Sequence, residues 1–391
     1  MSRLRIAVRR FGPFESTIRK QFDDFLRVSG RDAGLEAVAM DLNPLHESAI
    51  AGRGLASGEW DIAFLNTDWL AEAVADGLLE DLAPHQARAP IPDWPDAWSP
   101  SLTGLQQFGG GLWAMPYHDG PECLVYRKDL IAEPPATWQE FHALARAHHA
   151  PAEARYGTVL ALYPDGHNSF YDFCIHVWSR GGEVFDSLGR PDLASSQAQD
   201  ALDFLRMLAR DTEAIAPDCR SLDSVASGGL FAEGKVALMA NWFGFAAYAD
   251  TAPESRVRGL VDVAPLPGNV SLNVFWVLAI GSGARDKVLA WDFLRHCATA
   301  PMDRLTTSEG AIGVRRSTWR DPEINARLPY YHRLEWLHEH ARSMPITPDL
   351  ARISHIVDDL MTEAVTGDRP TAELLAEAQR RALACQPPAL S

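Results

Sequence analysis

Short apolar runs alternate along this chain with stretches whose apolar positions recur every three to four residues. Leu4–Val8 is the first such run and predicts a buried strand. After it, Phe14, Ile18, Phe22, Phe25 and Leu26 share one helical face, and Gly30 supplies the stop. Leu35–Met40 predicts a second strand, His46–Ser57 a helix and Trp60–Leu65 a third strand. The next helix starts in Asn66–Trp69, with Thr67 or Asp68 as its N-cap. Strands and helices alternating at this spacing predict an α/β fold with a mostly parallel sheet.

The pattern continues beyond the Pro- and Trp-rich stretch 84–100, which reads as an ordered surface crossing. Leu112–Pro116 and Cys123–Tyr126 predict two short strands around Tyr117–Gly120. Thr137-Trp-Gln-Glu140 is a capping box opening a helix that runs to about His149. A helix over 168–180 is stopped by Gly181-Gly182, and Ser195 or Ser196 caps the next. Phe231–Trp242 reads as a helix end, a stop at Gly234, a buried strand Val236–Ala240, and Asn241-Trp242 at its carboxyl end. Asn273–Ile280 is an unbroken apolar strand, followed by a helix over 285–300. Three further helices are predicted, over Tyr330–Arg342, Leu350–Thr366 and Thr371–Ala384.

At 391 residues the chain exceeds one ordinary core and divides naturally into two lobes. A formal net charge of −16 argues against a nucleic-acid or anionic-membrane partner, since either needs a basic surface. The amino terminus has no secretory leader, which fits either a cytoplasmic chain or one whose leader has been removed. The five cysteines are scattered without a Cys-x-x-Cys pair, so they carry neither a metal nor a redox motif.

Enzyme and metal motifs do not survive inspection. His338-Glu-His340 has a spacing that points two imidazoles apart on a helix, whereas a zinc protease needs its two histidines at positions i and i+4. His142, His148 and His149 have no carboxylate or thiol at ligand spacing. Gly109–Gly111 precedes a strand instead of joining one to a helix, and Gly281-Ser-Gly283 lacks a third glycine. Neither a metal nor a cofactor is expected.

Polar and aromatic residues gather instead at predicted strand ends. Arg10 and Phe11 follow the first strand, Asp41 the second, and Asn66, Asp68 and Trp69 the third. Tyr117, His118 and Asp119 follow Leu112–Pro116, and Asn241 and Trp242 follow Val236–Ala240. Each alone fits a structural role: Asp68 as a cap, Trp69 as core, Arg10 as a solvated charge. Together they fit one cleft, because ligands of open α/β sheets lie beyond the carboxyl ends of the strands.

These segments resemble, in order and over nearly the whole chain, the bacterial extracellular solute-binding proteins of the maltose-binding type. The likeness runs through Trp60–Trp69, Trp113–Tyr117, Leu124–Asp129, Pro135–Phe141, Gly181–Asp186, Phe231–Trp242, Ala264–Gly268, Trp276–Ile280 and Ala290–Leu294. It implies a two-lobed periplasmic-binding-protein-like fold of type II, with mixed sheets flanked by helices and a hinge between lobes. The implied amino-terminal lobe is 1–116 plus 266–314, the carboxyl-terminal lobe 117–265 plus 315–391, with hinges near 117–119 and 263–268. By position, the resemblance also implies ligand roles for Trp276 and for Arg315 or its neighbour Arg316. Asn273-Val-Phe275 replaces glycines that relatives carry before the tryptophan, which puts the usual monosaccharide pose in question.

The expected function is therefore that of a monomeric, non-enzymatic protein that captures a sugar or sugar derivative and delivers it to the membrane subunits of an ABC permease. An anionic sugar stays open through Arg10 and Arg315. Two alternatives stand beside this reading: an enzyme on the same scaffold with Cys123 as nucleophile, and an intracellular ligand sensor.

Overall fold

The computed structural model describes residues 2–385, which form two compact units. The first comprises residues 2–120 and 274–338, the second 121–273 and 339–385. The chain thus crosses between them three times.

A five-stranded sheet forms the centre of the first unit. Ser2–Arg9 pairs in parallel with Ala33–Met40 on one side and with Ile62–Asn66 on the other. Trp276–Ile280 then enters antiparallel to Ile62–Asn66, and Met115–His118 closes the order antiparallel to it. The sheet is consequently mixed, not mostly parallel. The apolar pattern specifies strands; it does not specify that a segment distant in sequence returns to lie between two early ones.

Local signals set several element ends. The first helix, Gly12–Ser29, buries Phe14, Ile18, Phe22 and Phe25 and ends at Gly30 with φ 66°, a conformation that costs glycine little. The cap after the third strand is Asn66 itself, whose side-chain oxygen accepts from the Asp68 amide at 3.0 Å. The expected helix over 46–57 is broken into Leu42–His46, a π-helical turn Glu47–Ala51 and Gly54–Ser57, divided at Gly52 and at Arg53 with φ 58°. Asp61, fully buried, anchors the sheet. It accepts from the Arg5 amide at 2.9 Å and guanidinium at 3.1 Å, and from the Arg285 amide at 3.0 Å.

The second unit is built on Glu122–Arg127, a strand that pairs antiparallel with Leu238–Trp242 and with Val261–Ala264. Ser271–Leu272 and Ala341–Arg342 extend the sheet beyond Glu122. Helices Asn168–Trp178, Ser196–Ala209, Leu350–Thr366 and Thr371–Cys385 pack together beside it. Thr137 forms the expected capping box: its hydroxyl accepts from the Glu140 amide at 3.1 Å, and Glu140 accepts from the Thr137 amide at 3.2 Å. The predicted helix over 330–342 is shorter, Arg333–Glu339, and the chain leaves it as the strand Ala341–Arg342.

Three boundaries differ from the expected division. Residues 117–120 and 315–338 belong with the first unit, and 266–273 with the second. The reason for 315–338 is a buried network around Asp303. Its carboxylate accepts from the Val314 amide at 2.7 Å, the Arg315 amide at 3.1 Å and the Thr318 hydroxyl at 2.5 Å. Trp319 donates to the Gly313 carbonyl, and the Tyr331 hydroxyl accepts from the Gly313 amide. Replacing Asp303 by alanine takes away the acceptor of the buried Val314 and Arg315 amides and of the Thr318 hydroxyl. The expected loss is about 3 kcal/mol of stability, read as a lower urea midpoint; an unchanged midpoint would show that the network does not hold this segment.

Candidate functional site

The strand directions of the first unit collect most of its nominated residues at one sheet edge. Arg10 and Phe11 follow the end of Ser2–Arg9, Asp41 follows Ala33–Met40, and Asn66 closes Ile62–Asn66. Because Trp276–Ile280 runs the opposite way, its first residue lands there too: Trp276 pairs with Asn66 on one side and His118 on the other. Trp276 is half-buried, edge-on to Trp69 with ring centres 5.9 Å apart and to Phe14 at 6.1 Å. His118 lies 4.7 Å from the Phe14 ring and 6.2 Å from Phe11.

The polar groups of this edge differ in what they leave available. Asp68 is half-buried at the start of its turn. Burial lowers the pKa of His118 to about 3, so its ring is neutral, and Nδ1 accepts from the Ile312 amide at 2.9 Å. Arg10 and Asp41 pair with each other at 3.1 Å on the surface. Trp69 is buried, edge-on to His46.

Three nominated residues of this unit turn inward instead. Tyr117 is buried and donates its hydroxyl to Gln21 at 2.9 Å; the Phe14 and Phe64 rings flank it. Asp119 is buried against His338, with 2.7 Å between Oδ2 and Nε2. Arg315 is buried as well. Its guanidinium lies 4.3 Å from the Trp98 ring, donates to the Ala298 carbonyl at 2.8 Å and pairs with Asp93 at 3.0 Å. The charge proposed for an anionic ligand is therefore committed inside the unit.

The second unit presents a smaller group around Trp242, the last residue of its strand. Trp242 is half-buried, edge-on to Tyr171 at 5.6 Å, and its indole donates to the Asn168 side chain at 3.3 Å. Asn241 has a structural role: buried, it donates to the Ser227 hydroxyl at 3.1 Å and accepts from the Trp242 amide at 2.7 Å. It fixes the backbone from which Trp242 projects.

Beneath Trp242 lies a pair that the sequence reading missed. Glu122 stands opposite Trp242 in the strand ladder and hydrogen-bonds the carboxyl of Asp172. Burial raises Glu122 well above the usual carboxylate range, helped by the neighbouring Asp172, and burial raises Asp172 to about 7. The available signal was spacing. Asn168 and Asp172 stand four apart on one helix, hence on one face, and Tyr171 adjoins them. Cys123, the nucleophile of the enzymatic alternative, is fully buried, and burial pushes its thiol well up. A nucleophilic cysteine needs the opposite, an accessible thiolate.

Comparison with known proteins agrees with this architecture. Residues 45–303 match the family described as bacterial extracellular solute-binding protein, and the chain belongs to that family. It is 23% identical to the maltotriose-binding protein of Pyrococcus abyssi over 323 residues, 80% of this chain and 66% of that one. A probable ABC transporter-binding protein of Deinococcus radiodurans is 22% identical over 66% of this chain and 64% of its own length. The chain thus spans just under two thirds of these two curated relatives. In fold it is similar to the maltose-bound protein of T. maritima, with TM-score 0.87, 21% identity and coverage of 97% and 98% of the two chains. It is also similar to an ABC transporter solute-binding protein of Agrobacterium radiobacter K84 in complex with ribitol, with TM-score 0.88, 23% identity and coverage of 98% and 99%. Among the described residues no helix is long and apolar enough to cross a membrane.

The carboxyl pair has a consequence for stability. A carboxyl whose folded pKa exceeds its unfolded one binds a proton in the native state that the unfolded chain has released, so stability falls as pH rises between the two values. For Asp172 that interval is from 3.8 to about 7. His118 acts oppositely, costing stability as pH falls from 6.5 towards about 3. Glu122→Gln and Asp172→Asn should each raise the melting temperature relative to wild type at about pH 8 but not at about pH 4, by scanning calorimetry. A difference independent of pH would show that the pair is not held protonated.

Proposed function

We propose that this protein captures a sugar or sugar alcohol for an ABC importer. The observation that carries this reading is the placement of half-buried tryptophans at strand edges beside hydrogen-bonding groups. Trp276 stands with Asn66 and Asp68 nearby in the first unit, and Trp242 with Asn168 in the second. Indole faces suit the apolar C–H faces of a sugar ring or an extended polyol, while amides and carboxylates take its hydroxyls. The maltotriose-binding relative and the maltose- and ribitol-bound neighbours support the same ligand class. Delivery would be to the membrane subunits of a permease.

A thermal-shift screen against neutral sugars, sugar alcohols and sugar acids tests the class. A true ligand at a hundredfold excess over its Kd adds about 2.7 kcal/mol by mass action, visible as a higher melting temperature. Trp242→Ala and Trp276→Ala should each weaken binding at least about tenfold, the loss of one aromatic contact. Undiminished binding in both variants, or shifts only with peptides, would overturn the assignment.

A further inference from the structure

The group around Trp242 in the second unit contains two carboxyl groups that form no ion pair among the described residues. Asp172 follows Asn168 by one turn of the Asn168–Trp178 helix and so projects from the same face. Asn168 holds the Trp242 indole, and Trp242 stands opposite Glu122 across the strand pair. Glu122 and Asp172 therefore meet at the foot of the Trp242 ring, hydrogen-bonded to each other. Glu122 is only 5% exposed, and apart from the Asp172 carboxyl its Oε2 has no hydrogen-bond partner. A buried acceptor left open costs stability in the empty protein unless a ligand donor reaches it.

The charged surroundings decide what kind of donor suits it. On the strand itself the nearest ionisable group is Cys123, a neutral buried thiol. Along the helix, Asp165 accepts from the Asn168 side chain, and His176 is kept neutral by burial. On the adjoining strand, Asp262 accepts from the Tyr126 hydroxyl. Arg180, two turns beyond Asp172, donates to the His176 carbonyl. Arg342, in register with Glu122 two strands away, lies over the Trp178 ring and pairs with Glu183, so the influences acting on the carboxyl pair are burial and each other.

We propose that Glu122 and Asp172 form a subsite for a protonated amine, making the protein selective for an amino sugar or amino-alditol over its neutral and acidic counterparts. The Trp242 and Tyr171 rings beside the pair add cation–π attraction. This rests on the sugar or polyol reading above. Below neutral pH the pair holds protons that must leave before it can accept an ammonium. Binding the amine then releases a proton to solvent, and affinity rises with pH until the amine itself deprotonates.

Titration calorimetry with glucamine, sorbitol and gluconate tests this. Glucamine should bind about tenfold tighter at pH 8 than at pH 5.5, while sorbitol affinity stays level and gluconate binds weakest. At intermediate pH the heat of glucamine binding should vary with the ionisation enthalpy of the buffer, and that of sorbitol should not. Glu122→Gln should bring the glucamine-to-sorbitol affinity ratio at pH 8 to within about threefold of unity, with circular dichroism confirming the fold. A wild-type ratio near unity at both pH values, or tighter binding of gluconate, would overturn the amine subsite. If neither glucamine nor sorbitol bound while a neutral sugar from the screen did, the subsite would fall and the functional reading would stand. If no sugar or polyol bound, both would fall.

Discussion

The antiparallel entry of Trp276–Ile280 into the first sheet is the constraint from which the rest follows. The strand pairs with Ile62–Asn66 over five residues and with Met115–His118 on its other side, so it is central and cannot be left out without opening the sheet. Its position forces the chain to return from the second unit, making the first unit discontinuous. Its direction places Trp276 beside Asn66 and His118, at the edge where the parallel strands end. Had it run parallel, Ile280 would occupy that edge and the indole would sit at the opposite end.

The crossings themselves are tied by buried polar contacts within the first unit. Asp119 precedes the first crossing and His338 the last, and the two pair at 2.7 Å with both side chains almost wholly buried. His338 also reaches the Ser101 hydroxyl at 2.9 Å through Nδ1 and stacks on Trp319, whose ring centre is 5.0 Å away. Using both ring nitrogens in this way fixes the imidazole's orientation. The arrangement resembles a Ser–His–Asp relay in composition, but its ring is clamped against an indole and its acid is sealed from solvent. It serves to hold two chain segments in register, and its members come from three sequence regions that no motif connects.

Much of this was legible from periodicity and turn chemistry. The Thr137 capping box, the Gly30 and Gly234 stops, the Phe14-to-Phe25 helical face and the placement of Trp242 at a strand end all depend on neighbours within a few residues. What escaped depends on distance in sequence. Nothing local to Arg315 announces Asp303, Trp98 and Asp93, so a cleft-facing, ligand-binding charge was expected where a buried one is found. Nothing local to Glu122 announces Asp172 fifty residues on. Asn241 and Trp242, read as an equal pair, separate because strand alternation sends one inward and the other towards the edge.

Charge balance separates the two units. Arg10 meets Asp41 on the surface, where screened pairs contribute little, and Arg315 is neutralised inside. The arginines nominated for an anion are thus satisfied by acids of the same unit. Glu122 and Asp172 of the second unit pair with no arginine and answer burial by retaining protons instead. A negatively charged ligand would have to approach a pair whose first response is to ionise as pH rises, while a neutral ligand gains only hydrogen bonds from it. On the proposed reading, selectivity between ligands of similar shape would rest less on the aromatic faces, which suit any ring or polyol, than on whether the guest can satisfy the buried Glu122–Asp172 pair.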